Sequence, residues 1–113
     1  MTSLREIQQS QKEFILSRKW ERFSGTQVFS HLIEELGEII KHFLYDEKYK
    51  VKGAGHEGKT EGLQEEFAQA FNLFLQLAIK ANVDLEHAWL MEYERNKSRF
   101  PKEIWEQLAE DDQ

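Results

Sequence analysis

A chain of 113 residues carrying 15 Lys and Arg against 21 Asp and Glu, for a formal charge of −6, fits a single domain over 1–113. Its core is small enough to gain from burial against a partner subunit. The charge disfavours a dedicated binder of nucleic-acid polymers, whose affinity comes mainly from clustered Lys and Arg, although a bound divalent cation inverts that logic for a small phosphate ligand.

The absence of cysteine excludes disulfides and thiolate metal sites and agrees with a cytoplasmic location. The start Met1-Thr2-Ser3-Leu4-Arg5-Glu6 lacks the apolar core of a signal peptide. The longest apolar stretch, from Phe71 to Ile79, is interrupted by Asn72 and Gln76, so no membrane span is expected.

Apolar spacing predicts a first helix over 4–23, with Leu4, Ile7, Phe14 and Ile15 on one face and Trp20 and Phe23 closing it. Ser24-Gly25-Thr26 breaks the pattern and can cap a second helix over about 27–46, because a side-chain oxygen there accepts from the orphan amides of the first turn. On that helix Val28, Phe29, Leu32, Leu36, Ile39, Ile40 and Phe43 fill one apolar arc, and His31, Glu35, Glu38 and His42 run along its edge. Residues three and four apart are neighbours on a helix, so Glu35 and Glu38 can both reach one hard cation; Glu34 points further toward solvent. A histidine at a helix flank is more often a hydrogen-bonding residue than a ligand, and His31 and His42 are read in that way.

Between Tyr45 and Glu61 the periodicity gives way to Lys48, Lys50, Lys52, Gly53, Gly55, His56, Gly58 and Lys59. This basic segment is either a solvated connector or a flap in which Lys52 and Lys59 contact phosphate. A third helix over about 61–81 has an apolar arc of Leu63, Phe67, Ala70, Phe71, Leu73, Phe74, Leu77 and Ala78, and Glu66 projects into it. An ionised carboxylate on an apolar face is costly unless paired, coordinated or protonated, so Glu66 is expected to have a partner. Gln69 sits one turn on at the edge of the arc.

Asp84 is the expected N-cap of a fourth helix ending near Phe100, whose inward face combines Leu85 and Trp89 with Glu92, Asn96 and Arg99. Those polar residues serve either inter-helix hydrogen bonds or a ligand wall. Pro101 fits the first turn of a short final helix docked by Ile104, Trp105 and Leu108. Trp20, Phe23 and Trp89 can stack on a base, but aromatics at helical spacing are more often core.

The ordered set Glu34-Glu35-Leu36-Gly37-Glu38, a Gly/Lys loop, Glu65-Glu66-Phe67-Ala68-Gln69-Ala70-Phe71, Asn82-Val83-Asp84-Leu85-Glu86-His87-Ala88 and Arg95-Asn96-Lys97-Ser98-Arg99-Phe100-Pro101 resembles the MazG-like nucleotide pyrophosphohydrolases. These are all-α nucleoside triphosphate pyrophosphatases, and the likeness runs from about Trp20 to Pro101. The resemblance implies a four-helix bundle with a short C-terminal helix, assembled as a dimer or dimer of dimers. It further implies Mg²⁺, or Mn²⁺, held by Glu35, Glu38, Glu66 and the residue at position 69, and cleavage of a nucleoside triphosphate into monophosphate and pyrophosphate. Glu34 or Glu35 would orient or deprotonate the water, and Lys52, Lys59, Asn96 and Arg99 are candidate phosphate partners.

Two positions depart from the family pattern. Gln69 stands where relatives carry Asp, and its amide brings no charge to a Mg²⁺ site. Glu92 stands where many relatives carry a basic residue. Three readings follow: an active Mg²⁺-dependent pyrophosphohydrolase, a catalytically weakened or inactive relative that binds nucleotide or metal, and a structural bundle whose polar stripe sets helix register or subunit pairing.

Overall fold

The computed structural model describes residues 1–58 and 61–112. It consists of α1 (Leu4–Ser17), a 3₁₀ turn (Trp20–Arg22), α2 (Gly25–Asp46), α3 (Leu63–Lys80), α4 (Leu85–Arg99) and α5 (Lys102–Asp111). Among the described residues there is no strand, only an isolated bridge between Lys52 and His56, and the all-α expectation holds. No helix of the described residues is long and apolar enough to cross a membrane.

The first helix is shorter than the 4–23 expected. At its end Ser17 Oγ and Arg18 Nη1 both donate to the Phe14 carbonyl, at 2.9 and 3.3 Å. Such side-chain bonds compete with continued helical pairing. Lys19 then takes a left-handed φ of 62°, and the chain turns before Trp20. The Trp20 ring consequently stands edge-on to Phe14, centroids 5.5 Å apart, instead of continuing the α1 face.

The expected caps are present. Gln27 N donates to Ser24 Oγ at 3.1 Å while Ser24 N donates to Gln27 Oε1 at 2.9 Å, a reciprocal capping box that opens α2. Asp84 Oδ1 accepts from His87 N at 3.2 Å and opens α4. Pro101 is the N-cap of α5, one residue ahead of the first turn where it was expected, with the extended ψ of 131° that a cap requires.

α2 packs along α3, α1 lies against α3, and α4 lies against α1. A polar clamp fixes α1 to the α3–α4 connection: Gln8 Nε2 donates to Val83 O at 2.7 Å, Leu85 N donates to Gln8 Oε1 at 3.0 Å, and Arg5 bonds Asp84 and Glu86 at 3.0 and 2.9 Å. Buried apolar side chains are Ile15, Val28, Leu32, Ala70, Leu75 and Ala78.

Much of the expected core is therefore outside the core of one chain. Phe29, Ile33, Leu36, Ile40 and Phe43 form an exposed stripe on α2, and Leu63, Phe67, Phe71 and Phe74 one on α3. Trp89, counted on the inward face of α4, is also exposed. The helices of one chain leave the bundle open: the radius of gyration is 18.8 Å, where a compact chain of this length has about 13 Å. The accessible surface is 9057 Å², roughly 2,500 Å² more than a compact monomer of this mass exposes.

Candidate active site

The α2–α3 pairing brings two carboxylates face to face. Glu66, in the first turns of α3, is 2% exposed, so the carboxylate that the apolar arc marked as anomalous is indeed buried. The helix N-terminus favours negative charge there. Across from it, the Glu35 side chain on α2 is 18% exposed and in hydrogen-bond contact with Glu66. Burial pushes the Glu35 carboxyl above its ordinary value of 4.5, and the neighbouring Glu66 charge pushes it further. His31 opposes the rise, its Nε2 lying 3.6 Å from Glu35 Oε1, while the hydrogen bond to Glu66 and the charge of Glu61 add to it.

Other expected site residues are placed differently. Glu38 is one turn beyond Glu35 on α2, and its Oε1 is 3.1 Å from Lys41 Nζ. Gln69 turns its amide outward to Glu61, with Nε2 donating to Oε2 at 3.1 Å. Glu34 is exposed on α2. His42 Nε2 is buried and has no hydrogen-bond partner among the described residues. Lys52 lies on the loop, with its aliphatic chain against Gly58. Lys59 lies outside the described residues. On α4, Glu92 is paired with Arg95 at 3.0 Å, Asn96 is half-buried, and Arg99 stands over the Phe100 ring at 5.1 Å.

Glu35 opens onto a cavity of about 320 Å³ with Phe14, Trp20, His31, Gln69, Leu73 and Gln76 in its walls. Trp20, His31, Leu73 and Gln76 also line an adjoining cavity of about 380 Å³, which Phe23 and Val28 complete. The two form one cleft, acidic at the Glu35 end and apolar and aromatic at the Phe23 end. Asn96 and Arg99 line neither cavity. Lys80 Nζ donates to the Glu21 carbonyl at 3.2 Å and so ties the turn bearing Trp20 to α3.

The donor chemistry at the acidic end suits a hard divalent cation, because two carboxylates pressed together where water is scarce repel one another until a cation or proton intervenes. Among the described residues, however, no three carboxylate or imidazole side chains stand close enough to share one ion. The Glu35–Glu66 pair supplies half of the expected ligand set, and Glu38 would have to leave Lys41 to extend it.

Sequence reasoning missed Glu61 and Gln76. Glu61 lies ahead of α3, where no periodicity marks it. Gln76 did carry a signal, as a polar residue inside the longest apolar run.

No family model matches the chain. It is 27% identical over 101 residues to dCTP pyrophosphatase 1 of Rattus norvegicus, an alignment covering 88% of this chain and 59% of that protein. It is 29% identical over 108 residues to dCTP pyrophosphatase 1 of Homo sapiens, covering 90% and 61%. With dCTP pyrophosphatase 1 of Bos taurus it shares 29% over 102 residues, covering 88% and 60%. The chain thus spans about three-fifths of the length of the curated relatives it matches. These homologues are nucleotide pyrophosphatases, in keeping with the likeness to the MazG-like all-α nucleoside triphosphate pyrophosphatases read from the two Glu motifs and the downstream Asn-Val-Asp-Leu and Arg-Asn-Lys-Ser-Arg segments.

Proposed function

We propose that this chain is a nucleoside triphosphate pyrophosphohydrolase, dependent on Mg²⁺ with Mn²⁺ as a substitute, that releases a nucleoside monophosphate and pyrophosphate. The observation that carries the reading is the Glu35–Glu66 pair at one end of a cleft whose other end is aromatic. A triphosphate cannot approach that acidic end unaided. Glu35 and Glu66, joined by Glu38 once it swings from Lys41, would hold the cation, which neutralises phosphate charge and acidifies a bound water.

The protein's own groups do the rest. His31, beside Glu35, is in position to hold a proton at Oε1, and Glu34 or Glu35 orients the water. Trp20 and Phe23 receive the base on their apolar faces. Lys52 and Lys59, in the basic segment after α2, are the proposed phosphate partners, and Asn96 and Arg99, which line neither cavity, are not assigned to this cleft. The names of the relatives make dCTP the first substrate to test.

We also assign a homodimer or homotetramer. The stripes on α2 and α3 are exposed apolar surface, and the roughly 2,500 Å² excess is of the size that an obligate subunit interface removes. A second copy of this chain is the occupant that matches stripe to stripe, since a two-fold axis pairs a patch with itself.

A weakened or inactive relative is the second reading, favoured by Gln69, which donates an amide N–H to Glu61 where relatives offer a carboxylate. The test is turnover of dCTP with Mg²⁺ by the wild type and by Glu38→Ala. Turnover in the first and its loss in the second supports the assignment, equal turnover in both overturns the role of Glu38, and nucleotide binding without product selects the second reading.

A further inference from the structure

Gln76 has no part in the chemistry described so far. The residue is 8% exposed and its carboxamide makes no hydrogen bond among the described residues, so both amide groups are open to a ligand in the cleft. It faces the region where the two cavities meet and forms a wall of both. Seven residues after Gln69, it lies on the same face of α3 and about 10 Å further along the axis, a span comparable with one nucleoside.

Among the other side chains at the aromatic end, the acceptor of Gln27 and the imidazole of His31 are already engaged. Gln27 Oε1 accepts from Ser24 N at 2.9 Å in the capping box, and His31 lies 3.6 Å from Glu35. Leu73, Val28 and Phe23 offer no hydrogen bonds. Gln76 thus brings a carboxamide with both polar groups unengaged to the junction of the two cavities, beside Trp20 and in continuity with the proposed triphosphate end, whereas Gln11 and Asn72 line only the Glu35 cavity.

We propose that Gln76 is the base-reading residue of the site: its carboxamide pairs with the donor–acceptor edge of a nucleobase laid against Trp20. A carboxamide presents one acceptor and one N–H donor side by side, the complement of an amino or oxo group next to a ring nitrogen. Once a base covers it, an amide left unpaired penalises any base that fails to present that pattern in register, which is how a polar group in a binding site discriminates between ligands of similar size. Gln76 is therefore a specificity-determining residue, and the assignment rests on the nucleotide reading above.

The test is calorimetric binding, without turnover, of α,β-imido deoxynucleoside triphosphates carrying cytosine, thymine, adenine and guanine, with tripolyphosphate as the probe that lacks a base. All are measured with Mg²⁺ on the assembled wild type and on Gln76→Leu. The wild type is expected to spread the four bases over about tenfold or more in affinity. Gln76→Leu is expected to lose about tenfold for the preferred base, to compress the spread to within about threefold, and to bind tripolyphosphate as the wild type does. Circular dichroism checks folding, and Gln76→Met replaces the leucine variant should that one fail to fold.

An unchanged spread in the variant overturns the role of Gln76 and leaves the nucleotide reading standing. Equal weakening toward all five probes, tripolyphosphate included, shows a structural role and overturns it too. A wild type that binds none of the four nucleotide analogues overturns the nucleotide reading and this assignment together.

Discussion

Replacing Glu35 by Gln separates the proposed metal site from a merely structural polar stripe. Two unit charges about 4 Å apart repel by ~4 kcal/mol at an effective dielectric constant near 20. The residual water at Glu35, whose side chain is 18% exposed, reduces that to ~1–2 kcal/mol on the metal-free protein. In Glu35→Gln the amide donates to Glu66, and the repulsion is gone. The metal-free variant is therefore expected to be more stable than the wild type by ~1–2 kcal/mol, a rise of roughly 3–10 °C in Tm for a chain of this size.

The pH dependence has a definite sign. Because the folded state raises the Glu35 carboxyl above 4.5, the stability linked to its proton is fully present below 4.5 and is lost as pH rises through the raised value. The variant lacks that loss, so the two proteins converge in acid and diverge toward neutrality. The assay is urea unfolding followed by circular dichroism, with chelator, at fixed protomer concentration and at several pH values from 4 to 8. Millimolar Mg²⁺ is expected to stabilise the wild type, by ~2.7 kcal/mol at a hundred times Kd, and to leave the variant unchanged. A metal-free variant less stable than the wild type at pH 7, or one that keeps the Mg²⁺ response, refutes the reasoning.

Further outcomes follow from the same geometry. Gln69→Asp sets a new carboxylate against Glu61 and is expected to lower metal-free stability by about 1 kcal/mol while preserving or raising Mg²⁺-dependent turnover, read by unfolding and product assay side by side. Ile40→Glu, in the exposed α2 stripe, is expected to shift the sedimentation coefficient toward a monomer, and an unchanged assembly would remove α2 from the interface. Ser24→Ala breaks the capping box of α2 and is expected to cost about 1 kcal/mol in urea unfolding, with Mg²⁺ affinity of the surviving folded protein unaltered.

What the residues announced depended on how local the cause was. Ser24 and Asp84 act within one turn, so their caps were legible, and Glu66 was legible because a carboxylate inside an apolar arc violates the cost of burying charge. The end of α1 was not legible. Trp20 and Phe23 continue the apolar spacing, and only the pull of Ser17 and Arg18 on the Phe14 carbonyl, with the left-handed turn at Lys19, stops the helix. That break is what makes the aromatic end of the cleft.

Nor does periodicity say how much of an apolar face is covered within the chain. Val28 and Leu32 are buried, while Phe29, Leu36 and Ile40 from the same arc are exposed, because the arc is wide and the helices packed against α2 cover only one side of it. The Gln8 clamp and the Gln69–Glu61 contact join residues whose pairing depends on tertiary placement, and no spacing rule marks them.

The central claim is the chemistry of the cleft, and the most direct measurement is product analysis after incubation of the folded, assembled protein with a panel of ribo- and deoxynucleoside triphosphates, with Mg²⁺ or Mn²⁺ and with chelator. Metal-dependent formation of pyrophosphate and the matching monophosphate in equal amounts, abolished by chelator, is the expected result. Release of inorganic phosphate and a diphosphate, or no product from any member of the panel, would contradict it.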